Sequence, residues 1–100
     1  MTMTPDERRR YRMKKYGLTV EQYDAMHRVW DGRCWICERP EPRDQRLTVD
    51  RDTTTGLVRG LLCTDCHRAL NLMAHDPMRL EQAARYLQDA TVSEWWKASA

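Results

Sequence analysis

The spacing of apolar residues predicts a helix in the first third of the chain. Tyr23 and Trp30 lie seven residues apart and share one helical face. Thr19 and Gln22 form the signature of a capping box, in which each side chain bonds the backbone of the other residue. An Asp-Gly pair at 31–32 supplies a stop signal. We therefore expect a helix that begins after Thr19 and ends near this pair.

Two short apolar runs in the middle of the chain have the pattern of strands. Leu47 and Val49 alternate with polar residues, as a half-buried strand requires. Residues 57–62 form a second run, and the segment 53–56 between them ends in glycine. This arrangement predicts a β-hairpin.

Two more helices are predicted after the hairpin. The first begins within the second cysteine pair, because apolar residues recur at helical spacing from Cys66 to Met73. The second begins at Asp76-Pro77, where a capping residue precedes a proline in the first helical position. Its apolar stripe is expected to face the core and consists of Leu80, Ala83, Ala84 and Leu87.

The composition is that of one small globular domain. The chain has 100 residues, of which 41% are hydrophobic, so it can bury only a modest core and an additional staple is expected. No apolar run approaches the roughly 20 residues that a membrane helix needs. The first residues lack the apolar stretch of a secretory signal. We expect a cytoplasmic protein.

Positive charge is concentrated at the beginning of the chain. Residues 1–17 carry a net charge of +4, whereas the remainder carries −2. A basic segment ahead of a near-neutral domain is typical of nucleic-acid binding, although a merely solvated terminus has the same pattern. The basic residues of this arm are Arg8, Arg9, Arg10, Arg12, Lys14 and Lys15.

Four cysteines stand in two CxxC pairs. Cys34 and Cys37 are separated from Cys63 and Cys66 by 25 residues, a spacing at which four thiolates can close a tetrahedral site. In a reducing compartment such pairs favour zinc over disulfides. Four protein ligands leave no open position for water, so the zinc is expected to be structural. The alternative is four free cysteines in a core.

The order of these elements resembles a known nuclease family. The first strand reads LTVDRDT over residues 47–53, and the segment GLVRGLLCTDC over 56–66 follows. Together they are similar to the recombination endonuclease VII branch of the HNH, or ββα-metal, nucleases, over about residues 10–87. The resemblance implies an α+β fold: a small zinc-stapled ββα-metal (HNH-like) domain with flanking helices. We expect a basic arm at 1–17, this domain at 18–90, and a tail with Trp95 and Trp96 at 91–100.

The resemblance also implies where the catalytic residues would lie. In this family an aspartate of the first strand binds a divalent ion, which falls on Asp50. The histidine after it activates water, and this position is occupied by Arg51. The last metal ligand, usually asparagine, falls on His67. Two flanking histidine positions hold Thr48 and Thr53.

Arg51 cannot act as the missing base. A guanidinium stays protonated at any working pH and has no acceptor lone pair. It also adds positive charge where Mg²⁺ or Mn²⁺ would bind. We expect a weak or inactive phosphodiesterase site, in which Asp50 and His67 remain as residual metal ligands.

Three functions follow, and the first is favoured. The chain is a DNA-binding module, an active Mg²⁺- or Mn²⁺-dependent endonuclease that cuts branched DNA, or a zinc-stapled protein-interaction module that uses Trp95 and Trp96. The family implies DNA, in some members branched DNA, a homodimer, and a phage or bacterial source. The predicted phosphate contacts are the basic residues of the arm together with Arg51, Arg59 and Arg68.

Overall fold

Six elements follow one another along residues 2–43 and 45–89, the parts of the chain that the computed structural model describes. They confirm an α+β fold. None of the helices in these ranges is long and apolar enough to cross a bilayer. The predicted tail, with Trp95 and Trp96, lies outside the described residues. The elements are α1 (Pro5–Lys15), α2 (Val20–Val29), β1 (Thr48–Arg51), β2 (Val58–Leu62), α3 (Thr64–Leu72) and α4 (Pro77–Gln88).

Most of the segment treated as a basic arm forms the helix α1. Thr4 caps it by accepting a hydrogen bond from the backbone N–H of Glu7, and Pro5 occupies the first helical turn. Met13 of this helix is buried in the core. The sequence signal for α1 was the Thr-Pro-Asp-Glu run at 4–7, which places a cap, a proline and acidic residues at a helix start.

Helix α2 begins as predicted. Both hydrogen bonds of the capping box between Thr19 and Gln22 are present, and Asp31 and Gly32 have positive φ beyond the helix end. Tyr23 is 1% exposed, and its hydroxyl donates to the Leu47 carbonyl at 2.6 Å. This contact joins α2 to the residue just before β1.

The predicted hairpin is confirmed as a two-stranded antiparallel sheet. Asp50 is opposite Gly60, and an irregularity in the register follows between Asp50 and Arg51. The turn is organised by Asp52, whose carboxylate accepts from two backbone N–H groups of the turn, at Thr54 and Thr55. These bonds lower the pKa of Asp52 below its usual value.

The core lies where α1, α2 and α3 meet the hairpin. Helix α3 contacts both strands, and Cys34 and Cys63 pack into the same core. The buried residues that pack together are Met13, Tyr23, Cys34, Leu47, Val49, Leu61, Leu62 and Cys63. A core of this size agrees with the expectation that the domain needs an additional staple.

Helix α4 starts as predicted at Asp76-Pro77, but its apolar stripe is not in the core. Leu80 and Ala83 are half-buried, while Leu87 is 81% exposed. Among the described helices and strands, none packs against α4. The amphipathic pattern identified the helix correctly, whereas the placement of its apolar face was wrong because periodicity does not say what covers that face.

Candidate functional site

The two cysteine pairs come together as one cluster. Their Sγ atoms all lie within 4.8 Å of one another, and those of Cys37 and Cys63 are 3.8 Å apart. A tetrahedron with metal–sulfur bonds of about 2.3 Å has edges of roughly 3.8 Å, so the cluster has the size of a four-thiolate site. The four cysteines are positioned to bind a metal, and their geometry is consistent with a structural zinc.

Backbone N–H groups support the sulfur atoms of this cluster. The N–H of Ile36 points to Cys34, and that of Cys66 points to Cys63, each at 3.4 Å from the sulfur. Burial alone would raise the pKa of Cys34, but backbone hydrogen bonds led by that of Cys37 lower this pKa to about 7. Burial raises the pKa of Cys63 and Cys66. A bound cation would favour deprotonation of all four thiols.

A glutamate whose side chain is 5% exposed ties the loop after the first cysteine pair to the second pair. The Glu41 carboxylate accepts from the backbone N–H of Thr64 at 2.7 Å and from its hydroxyl at 2.9 Å. Burial opposes ionisation of Glu41, yet these bonds outweigh it and lower the pKa of Glu41. Glu41 thus supplies an acceptor for the first N–H of α3.

The first cysteine pair is also fixed to the sheet by Trp35. Its backbone N–H donates to the Leu61 carbonyl at 3.0 Å, and its ring lies against Gly60. A Cβ atom at Gly60 would come within 2.5 Å of the Trp35 ring. Glycine at this position is therefore required by the close approach of the indole to β2.

Asp50, the predicted metal ligand, is buried and paired with Arg59. The Arg59 Nε donates to Oδ2 of Asp50 at 2.7 Å, and Nη2 donates to Oδ1 at 3.1 Å. The Asp50 side chain is 5% exposed and that of Arg59 is 39% exposed. The carboxylate raises the pKa of Arg59. Both carboxylate oxygens are thus engaged by one guanidinium, a contact that a residue-by-residue interpretation of the sequence could not reveal.

Arg59 extends this pair to the end of α3. Its Nη2 lies 2.8 Å from His75 Nδ1, and His75 Nε2 lies 2.6 Å from Asn71 Oδ1. Because a guanidinium only donates, Nδ1 of His75 must accept and Nε2 must carry the proton. His75 is therefore a packing residue whose acceptor is already in use, and it is not free to serve as a base.

Arg51 turns away from Asp50 and towards α1. Its guanidinium lies 5.1 Å from the centre of the Tyr16 ring and donates to the Lys15 carbonyl at 3.3 Å. The position expected for a base thus holds a cation stacked on an aromatic ring. Neither Tyr16 nor Lys15 was linked to Arg51 by the sequence, because the contact depends on how α1 packs against the hairpin.

Three cavities share Tyr16, and we call the surface they form the Tyr16 cleft. They have volumes of about 510, 410 and 510 Å³. His67 lines the first together with Arg51, so the structure brings these two predicted residues into one groove. Asp50 lines a different cavity, with Arg59. The cations and histidines of the Tyr16 cleft are Arg9, Arg12, Lys14, Lys15, Arg46, Arg51, His67 and His75.

The basic residues of α1 fall into two groups: Arg9 makes contacts within the fold, and the others are exposed. Arg9 is used inside the fold, since it pairs with Asp24 and lies over the Tyr23 ring at 5.4 Å. Arg46 was missed in the sequence, although it stands two residues before β1 and lines the same cavity as Arg12. Of the predicted contacts on α1, Arg8, Arg10, Arg12, Lys14 and Lys15 are exposed, as are Arg51 of β1, Arg59 of β2 and Arg68 of α3.

The fold and the cluster define a class of protein: a hairpin followed by a helix, stapled by a four-cysteine metal site. Residues 8–89 match the family described as recombination endonuclease VII. The chain belongs to this family, as its motif at 56–66 predicted.

Curated relatives come from mycobacterial phages. The Gene 59 protein of Mycobacterium phage D29 is 45% identical over 74 residues, which is 73% of this chain and 45% of that protein. The Gene 59 protein of Mycobacterium phage L5 is 41% identical over 73 residues, or 72% of this chain and 44% of that protein. The chain therefore spans less than half the length of these relatives.

Proposed function

We propose that the chain is a DNA-binding module of its family, held by one structural zinc. The observation that carries this proposal is the Tyr16 cleft, three adjoining cavities lined by cations of α1, by Arg46 and by Arg51 at the end of β1. Residues 1–17 are proposed as its basic arm and 18–90 as its domain. Because Met13 of the arm is buried, the two are expected to fold together.

The groove suits the backbone of a nucleic acid. Arg51 is held over Tyr16 with its guanidinium exposed, and such a planar fork can donate two hydrogen bonds to a phosphate. Arg12, Lys14 and Arg46 extend the positive charge along both sides. Phosphate contacts of this kind give affinity without base specificity. Binding of linear duplex should weaken steeply with salt, and comparison with a four-way junction tests whether branched DNA is preferred.

The residues expected to hold Mg²⁺ or Mn²⁺ do not fit such an ion in this arrangement. Both oxygens of Asp50 accept hydrogen bonds from Arg59, and Asp50 lines a different cavity from His67. Arg51 cannot accept a proton. We therefore propose a degenerate HNH-like site that binds DNA and cleaves it poorly or not at all.

A plasmid assay separates this proposal from an active endonuclease. We expect the wild-type chain to give no Mn²⁺-dependent nicking of supercoiled plasmid above background. Arg51→His would restore a group able to accept a proton near neutral pH, but Arg59 would still hold Asp50, so little gain is expected. Vigorous nicking that Asp50→Asn abolishes would instead establish the endonuclease.

Helix α4 supports the proposal of a homodimer. A helix of 12 residues is marginal in water by itself, and α4 has no partner among the described elements. In an antiparallel pair centred between Ala83 and Ala84, Leu80 of each copy would face Leu87 of the other, so the apolar stripes would cover each other. We expect a dimer mass by light scattering and a monomer for Leu87→Glu. Val29→Glu, an exposed control on α2, should stay dimeric; a monomeric wild type would contradict the pairing.

A protein-interaction role through Trp95 and Trp96 stays a separate prediction. Neither tryptophan is among the described residues, because both lie beyond residue 89. Substituting both residues by alanine should leave DNA affinity unchanged if the Tyr16 cleft carries the binding.

A further inference from the structure

One cavity of the Tyr16 cleft lies between α1 and the segment before β1, and we call it the arginine pocket. It has a volume of about 410 Å³. Arg9 and Arg12 reach it from α1, and Arg46 reaches it from the segment before β1. None of the described residues that line it is acidic, and each of the other two cavities of the cleft has a single arginine in its described lining. The arginine pocket thus concentrates the guanidinium groups of the cleft.

The fold holds the charges of the arginine pocket close together. Arg9 is ion-paired with Asp24 and lies over the Tyr23 ring, so its guanidinium is fixed beside the core. Burial raises the pKa of the Tyr23 hydroxyl, and the charges of Arg46 and Arg9 oppose that rise. The hydrogen bond from Arg9 lowers the pKa of Asp24, and the charge of Arg46 adds to this effect. Both guanidiniums therefore act on the same two side chains, and together with Arg12 they exceed the charge of Asp24 by two.

The arginine pocket ends at the hydrophobic core. Met13, Tyr23 and Leu47 line it and are all buried, while Gln45 and Thr48 add polar groups to its lining. A nucleic-acid strand can enter such a pocket but cannot continue through the core. The pocket therefore suits the end of a strand, and the remainder of that strand would follow the open part of the cleft.

The end of a strand differs chemically from its interior. An internal phosphodiester carries one negative charge and two unbridged oxygens. A phosphate monoester carries about 1.5 to 2 negative charges and three free oxygens. Guanidinium groups bind such oxygens through pairs of charge-assisted hydrogen bonds. An excess of two positive charges therefore matches a monoester better than a diester.

We propose that the arginine pocket binds the terminal phosphate monoester of a DNA strand whose other phosphates follow the Tyr16 cleft. Arg12 and Arg46, which are exposed, donate hydrogen bonds to the phosphate oxygens, and Arg9 adds a fixed charge beside the core. This inference rests on the proposed DNA binding and adds a selectivity for phosphorylated strand ends. Hydrogen bonds to a charged group of this kind correspond to about 10-fold or more in affinity.

The test compares three blunt duplexes of one sequence, which carry 5′-phosphate, 3′-phosphate or only hydroxyl ends. Each has the same fluorescent label on an internal base, and affinity is measured by anisotropy at one salt concentration. The full chain is expected to bind one of the phosphorylated duplexes at least about 10-fold more tightly than the hydroxyl duplex. The preferred duplex identifies the strand end that the pocket takes. Arg46→Gln should bring this ratio close to one, and a general loss of DNA affinity would not change a ratio measured within one variant.

Arg85→Gln is the matched control, because it removes the same charge from an exposed residue of α4 that does not line the pocket. It should keep the preference. Equal affinity of the wild type for all three duplexes would overturn the inference and leave DNA binding intact, as would a preference that Arg46→Gln retains. Saturable binding of inorganic phosphate in calorimetry, without a preference among the duplexes, would overturn the strand end as the ligand. Failure of the wild type to bind any duplex would instead refute the proposed function.

Discussion

Cys63→Ser is expected to leave the domain largely unfolded and without zinc. Cys63 is a buried member of the thiol cluster and also the cap of α3, so its sulfur serves the metal and the helix. Zinc binding in small structural sites corresponds to about 10–16 kcal/mol, whereas whole domains are stable by only about 5–15 kcal/mol. Loss of one thiolate should therefore remove most of the folding free energy.

The measurements are zinc content by elemental analysis and thermal unfolding by circular dichroism. Ala69→Ser is the control, since it introduces the same hydroxyl at an exposed position of α3. It should keep one zinc per chain and unfold close to the wild-type temperature. A Cys63→Ser protein that melts cooperatively near the wild-type temperature would show that the metal does not hold this fold.

Arg12→Gln with Lys14→Gln is expected to weaken DNA binding on the order of 30-fold near 0.15 M salt. Both side chains are exposed and line the Tyr16 cleft. Each lost phosphate contact lowers the slope of log K against log salt by about 0.9, so the pair should lower it by roughly 2. The measurement is fluorescence anisotropy of a labelled duplex over a range of salt concentrations.

Substitution tests the cleft better than deletion of the arm, because a deletion to residue 15 would also remove the buried Met13. Arg79→Gln with Arg85→Gln is the matched control, with the same change of charge on α4. It should leave the affinity and the salt slope unchanged. If the two double variants lost the same affinity, binding would depend on net charge, and the Tyr16 cleft would have no special part in it.

Local signals in the sequence were sufficient to predict most of the helices and strands. The capping box at Thr19 marked α2, the alternation around Val49 marked β1, and Asp76-Pro77 marked the start of α4. Each depends on neighbours in the chain, and each is present in the structure. The spacing of the cysteines likewise predicted a cluster whose two pairs are separated by 25 residues in sequence. A motif with fixed spacing can indicate a distant contact because the metal defines its geometry.

Contacts set by packing could not be predicted in this way. Arg59 reaches Asp50 only because the register places Asp50 opposite Gly60, next to Arg59, and an alternation pattern does not specify register. Arg51 lies on Tyr16 because α1 packs beside the hairpin. The apolar stripe of α4 shows the same limit of prediction. An amphipathic pattern indicates that one face of a helix is covered, but it does not identify what covers that face.

The close fit of Trp35 on Gly60 constrains how this sequence can diverge. Because a Cβ atom at position 60 would lie only 2.5 Å from the indole ring, every side chain larger than hydrogen collides with the tryptophan. Neither residue is expected to change alone. A larger residue at position 60 fits only if Trp35 is first replaced by a smaller residue, and that replacement would remove the indole that anchors the first cysteine pair. Substitutions at these two positions are therefore expected to occur together or not at all. Relatives that keep the first cysteine pair in this arrangement are expected to keep both Trp35 and Gly60.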